Sequence, residues 1–174
     1  MPQSVASNSP KPFAIVADDV KANRTLVSTW FAELGYDCRP ANNGAEAWKL
    51  VREHVTELVV TDIDMPVCSG LVLLHSLRNH ASADLRRVPV IVMSSMRDRE
   101  ICAFIAAYGG TVFLPKPLEK EAFVRMVHGI HDLKSEYVSD ASGAPETPWQ
   151  GTQRISPTLR RLVREVQYGR ALLR

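Results

Sequence analysis

Four short runs in this chain, FAIVA (13–17), LVVTD (58–62), VPVIVMS (88–94) and TVFL (111–114), are apolar nearly throughout rather than at alternate positions. A strand with one wet face alternates apolar and polar residues, so runs like these belong to strands covered on both sides. Between them the pattern changes to a helical one. Residues 20–34 place Leu26, Val27, Trp30, Phe31 and Leu34 at helical spacing, and Gly35 stops the run. After NNG (42–44), a second helix is expected to turn Ala47, Trp48, Val51 and Val55 inward. Further helices are expected from Ser69 to about Asn79, over 97–108 up to Gly109-Gly110, and from about Leu118 to Leu133. A fifth strand, YDCRPA (36–41), contains Pro40, which cannot donate to a ladder and therefore marks a sheet edge. Five strands alternating with five helices predict an α/β fold, an open doubly wound five-stranded parallel sheet with helices on both faces. Such sheets bind ligands beyond the carboxyl ends of their strands, at the point where strand order reverses.

The residues at those ends form a coherent chemical set. The first strand runs into Asp18-Asp19, the third into Asp62, the fourth into Ser94-Ser95, and the fifth directly into Lys116. Three carboxylates gathered at one edge repel one another and need positive charge to hold them together. A hard divalent cation with oxygen ligands, Mg²⁺ above all, and the Lys116 ammonium supply it. A carboxylate beside Mg²⁺, with a hydroxyl and an ammonium aimed at the same point, is a layout for phosphoryl transfer onto Asp62. Ser94 would donate to an equatorial oxygen, and Lys116 would offset its charge.

In this arrangement the sequence resembles the receiver domains of bacterial response regulators. The matching text is IVADDVKANR, ANNGAEAW, VVTDIDMPVCSG, PVIVMSS and FLPKPL, in that order and at strand ends, across roughly residues 12–134. The resemblance implies the (βα)5 flavodoxin-like receiver fold. It implies that Asp62 accepts the phosphoryl group and that Asp18, Asp19 and Asp62 bind Mg²⁺ with the backbone carbonyl of Asp64. It further implies that Ser94 is the switch hydroxyl, that Phe113 stands where the family has a rotating aromatic, and that Lys116 contacts the phosphate, with a cis bond to Pro117. The donor would be a histidine kinase or a histidine phosphotransfer protein in two-component signalling. The chain would act as a switch rather than as a turnover enzyme. The face built by the fourth helix, fifth strand and fifth helix would exchange partners on phosphorylation, a homodimer among them. Two departures stand out: Phe113 lacks the hydroxyl of the usual tyrosine, and Ser95 replaces a small apolar residue.

Asp-x-Asp after an apolar strand also fits haloacid-dehalogenase phosphatases, with Asp62 as nucleophile and Asp64 as general acid. In those the acidic metal pair follows the lysine, whereas Asp18-Asp19 precede Asp62 here. His128 and His131, three apart, have no evident third ligand and read as surface residues.

Charge is unevenly distributed along the chain. The net charge is +2, yet residues 154–174 hold six arginines against Glu165 alone, so the body is mildly acidic and the tail basic. The N-terminal residues 1–12 are expected to be disordered, 13–134 to form the receiver, and 135–153 to be a linker. Residues 154–174 are expected to form a basic amphipathic helix: Ser156 can cap it, Pro157 suits its first turn, and Ile155, Leu159, Leu162, Val163, Val166 and Leu173 recur near helical period. Such a helix can dock on the receiver over the face that rearranges on phosphorylation, or bind a partner. As an alternative function, it would serve a nucleic-acid-binding regulator through its arginines. About 20 residues cannot form a helix-turn-helix domain with a core of its own. No output domain is recognisable, which favours a single-domain regulator acting by protein contact. No run is long and apolar enough to span a membrane, and no secretory signal is evident at the start. The three widely spaced cysteines, Cys38, Cys68 and Cys102, suit reduced thiols in a cytoplasm.

Overall fold

The computed structural model of the chain describes residues 10–95, 99–136 and 156–168. The expected disorder at 1–9, most of the expected linker, and Ile155 and Leu173 of the tail stripe lie outside these residues.

Five strands, β1 (Phe13–Ala17), β2 (Asp37–Ala41), β3 (Leu58–Asp62), β4 (Val90–Ser94) and β5 (Val112–Pro115), form one parallel sheet in the order β2-β1-β3-β4-β5. Among the described residues seven helices accompany them: α1 (Lys21–Glu33), α2 (Gly44–Glu53), α3 (Gly70–Arg78), α4 (Ala83–Arg87), α5 (Arg99–Ala107), α6 (Lys120–Glu136) and α7 (Pro157–Tyr168). The sheet alternates its side chains between two cores. Ala14, Val16, Leu58, Val60, Ile91 and Met93 pack with Val27, Trp30 and Phe31 of α1 and Phe123 and Val127 of α6. Ile15, Ala17, Val59, Val90 and Val92 pack on the other face with residues of α2, α3 and α5. Every position of the inner strands but the half-buried Phe13 is thus buried on one side or the other, which is why their sequences are largely apolar without alternation.

β2 lies at the edge, with Pro40 opposite Val16. The chain moves from β1 outward to β2 and then back across to β3. The order therefore reverses between β1 and β3, and the ends of those two strands flank the switch point.

Three sequence expectations are corrected. Val55 does not face the core: α2 ends at Glu53 and Val55 is 91% exposed, because the connection to β3 begins there. Leu26 is exposed too, since Val27, Trp30 and Phe31 already fill the buried stripe of α1. The one-turn helix α4 was not anticipated, because five residues are too short to show a period. It is held from its neighbours, with Arg86 Nη1 donating to the His80 and Ala81 carbonyls at 2.7 and 2.8 Å. Nearby, Arg78 ties three segments together, donating to the carbonyls of Gly109, Arg86 and Val88 at 2.8–2.9 Å. Burial lowers its pKa to about 10.

Within the tail, Pro157–Tyr168 form helix α7, and Ser156 caps it, accepting from Leu159 N at 3.2 Å. Its docking surface differs from the expected one. α7 lies on α3, where Leu159, Leu162 and Val166 join the core cluster of α2 and α3. Three buried aliphatic side chains at roughly 1.5–3 kcal/mol apiece account for the attachment. Among the described residues no helix is long and apolar enough to cross a membrane, and all three cysteines are free.

Candidate phosphorylation site

β1 and β3 run in register with Ala17 opposite Thr61, so the next residue on each, Asp18 and Asp62, emerge side by side. Asp18, Asp19 and Asp62 each bring a carboxylate oxygen within 4.8 Å of the others. Asp18 is fully buried and Asp62 is 8% exposed, while Asp19 faces solvent. Buried carboxylates need partners. Asp18 Oδ1 accepts from Val20 N at 2.8 Å, its Oδ2 from Asn23 Nδ2 at 3.0 Å, and its carbonyl from Arg24 Nη1 at 2.5 Å. Asn23 and Arg24 lie in the first turn of α1, so that helix fixes Asp18 from behind. Sequence reasoning missed both. An amide five residues after an acid was the only available signal.

Lys116 follows β5, with its bond to Pro117 cis. Its main-chain N donates to the Ser94 carbonyl at 2.8 Å. Its Nζ reaches across β4 to Asp18 Oδ2 at 2.8 Å and Asp62 Oδ2 at 2.6 Å. Burial works against the ammonium, but the hydrogen bonds and charges of Asp18 and Asp62 outweigh it and hold its pKa above 10.5. At Asp62 the balance is opposite. Burial raises its pKa above 3.8, Lys116 offsets only part of this, and the Asp18 charge adds to the rise. One ammonium is thus shared between two buried carboxylates with a third nearby. The oxygen-only donor set and its surplus negative charge fit a hard divalent cation.

Ser94 ends β4 and is buried. It shares strand parity with Val92, whose register partner is Phe113, so both face the layer of α5. Phe113 is half-buried and packs against the core on that face. Ser95 is exposed.

The loop from Ile63 to Ser69 leaves the acceptor strand and turns into α3, whose Ser69 cap accepts from Val72 N at 3.4 Å. Val67 holds φ 69°, a left-handed conformation that β-branched residues rarely adopt. Gly70 sits so close to the end of β3 that a Cβ there would meet Asp62 O at 2.0 Å. The partly exposed Asp64 carboxylate is paired with Arg161 Nη2 of α7 at 2.6 Å, and Arg161 Nη1 also binds Glu165 at 2.6 Å. The hydrogen bond that Arg161 donates to Asp64 is the chief cause of a raised Arg161 pKa. No sequence signal linked residues 97 positions apart.

Comparisons with known proteins agree with this geometry. The model of the response regulator receiver domain matches residues 14–128. The DNA-binding transcriptional regulator NtrC of Azospirillum brasilense is 33% identical over 65% of this chain, and the regulatory protein AtoC of Escherichia coli is 28% identical over 78%. The matched stretch is only 23% of the first and 29% of the second, so the chain spans less than a third of these relatives' length. Among solved structures, the Francisella response regulator 1452 receiver domain superposes with TM-score 0.65 at 28% identity, covering 71% of this chain and 99% of that one. Chemotaxis response regulator CheY4 of Vibrio cholerae superposes with TM-score 0.64 at 21% identity, covering 70% and 99%, and so shares the fold. A family match over most of the chain, on a sheet that gathers Asp18, Asp19, Asp62 and Lys116 at its switch point, makes this protein a member of the response regulator receiver domain family, the phosphorylation-controlled switches of two-component signalling.

Proposed function

We propose that Asp62 accepts a phosphoryl group from a histidine kinase or a histidine phosphotransfer protein, and that the chain signals through contacts with another protein. The convergence of Asp18, Asp19 and Asp62 carboxylates around Lys116 carries this reading. Asp18, Asp19, Asp62 and the Asp64 carbonyl would hold Mg²⁺. When bound, the cation supplies positive charge that shields the incoming anionic group. A carboxylate oxygen of Asp62 forms the new O–P bond as the P–N bond to the donor imidazole breaks; the imidazole nitrogen keeps the electron pair and takes up a proton. Lys116 holds Asp62 in place and offsets charge on the transferred group. Asp18, locked by Val20, Asn23 and Arg24, keeps the carboxylate frame from rearranging.

The phosphoryl group adds up to two negative charges in place of one. Ser94 at the end of β4 turns toward them and Phe113 fills the space behind, on the face they share. The surface of α5, β5 and α6 then changes its preferred partner, whether another protein or a second copy of this chain. Incubation with acetyl phosphate and Mg²⁺ tests the acceptor. Wild type becomes labelled on an acid-stable, hydroxylamine-labile linkage and Asp62→Asn does not. Equal labelling of the two proteins would place the acceptor elsewhere.

A further inference from the structure

Helix α7 does more than cover α3. It grips the loop that follows Asp62 through one ion pair. Arg161 holds Asp64, two residues beyond the acceptor, at 2.6 Å. One turn on, Glu165 lies near Cys68 of the same loop; burial first, and then the Glu165 charge, push that thiol up to about 11. Leu159, Leu162 and Val166 seat the helix independently of these charges. Arg161 and Asp64 are each about half exposed, at 48% and 43%, so their pair adds little to the attachment but stays responsive to charge nearby.

We propose that α7 is a built-in partner of the phosphorylation site, coupled to it through the Arg161–Asp64 pair, so that loading the site tightens the helix on the loop between β3 and α3. This rests on the reading of Asp62 as acceptor. The sign follows from charge. With the cation present throughout, a phosphoryl group in place of the bare carboxylate makes the pocket about one unit more negative. Arg161 is the cation that α7 brings to the adjoining loop, and it is drawn inward. The coupling is reciprocal: a docked helix favours the loaded site by the same factor.

The test uses the full chain in constant Mg²⁺, with beryllofluoride as a reversible stand-in for the phosphoryl group. Amide exchange over residues 157–168 slows about fivefold when beryllofluoride is added, at the low end of ordinary coupling between sites. The slowing shrinks at high salt, as expected for a partly exposed pair. Arg161→Ala and Asp64→Asn abolish it, and Arg161→Lys keeps part of it. By reciprocity, Arg161→Ala binds beryllofluoride about fivefold more weakly than wild type. Exchange that is indifferent to beryllofluoride, or equal beryllofluoride affinity in wild type and Arg161→Ala, overturns the coupling alone. Failure of beryllofluoride to bind wild type, or equal binding by Asp62→Asn, overturns the acceptor reading and the coupling with it.

Discussion

The Lys116 ammonium stands 2.6 Å from Asp62 Oδ2, joining the residue after β5 to the last residue of β3 across the whole width of β4. The same ammonium reaches Asp18 at 2.8 Å, so one positive charge serves two buried carboxylates. The pocket is left short of cationic charge. Removing the lysine should therefore destabilise the metal-free protein by about 3 kcal/mol, because both acids lose their counter-ion. Added Mg²⁺ should recover much of that loss, and Lys116→Ala should bind Mg²⁺ more tightly than wild type, in which the ammonium competes. Thermal melts with and without chelator, together with Mg²⁺ titrations, measure both effects. A metal-independent melting temperature in the variant would contradict them.

Asp62 gives a pH signature. Its pKa in the fold is raised above 3.8, chiefly by burial, so the folded state holds its proton more firmly than the unfolded chain does. Between 3.8 and the raised value, wild type loses stability as pH rises, and above that value the loss is complete. Asp62→Asn escapes the loss. In chelator it should melt above wild type at neutral pH, with the advantage vanishing as pH falls below 3.8. Lys116 contributes in the other direction. Its pKa is raised above 10.5, so its stabilisation is complete below 10.5 and disappears only as pH climbs through the raised value. Parallel melting curves for wild type and Asp62→Asn at every pH would show that Asp62 is not perturbed.

At Gly70, the first turn of α3 presses against the end of the acceptor strand. A Cβ would lie 2.0 Å from Asp62 O and 2.6 Å from Thr61 Oγ1. Main-chain atoms cannot rotate away, so Gly70→Ala must shift α3 or the strand. The expected loss is about 2–3 kcal/mol by chemical denaturation, with labelling of Asp62 impaired in whatever remains folded. A variant as stable and as readily labelled as wild type would mean that the helix start has room to move.

Val67 offers the converse. It holds φ 69° while its side chain is 75% exposed, so it bears backbone strain with little packing in return. Asparagine adopts this conformation more easily than valine. Val67→Asn should stabilise the protein by about 1 kcal/mol. No change or a loss in denaturation midpoint would show that the valine makes a compensating contact.

Much of this molecule was legible in its residue order. The apolar runs marked the strands because a sheet covered on both faces leaves few positions for polar residues before the strand ends, and LVVTD coincides with β3. Pro40 marked the edge. The carboxylates, Ser94 and Lys116 were identifiable because each stands where a strand ends, and parallel topology sends all such ends to one rim. Val55 and Leu26 misled, because helical spacing says which residues share a face but not where the helix stops or how wide its buried stripe is.

The order of residues alone determined the parallel sheet, the switch point and the cast of charged groups, since those follow from hydrophobic patterning and chain direction. Only tertiary structure decided that Lys116 is shared between Asp18 and Asp62, that Asn23 and Arg24 brace Asp18, and that α7 lies on α3 with Arg161 on Asp64. These are distances between side chains brought together by packing, some from segments nearly a hundred residues apart. Local sequence carries no record of a partner that only the folded surface brings near.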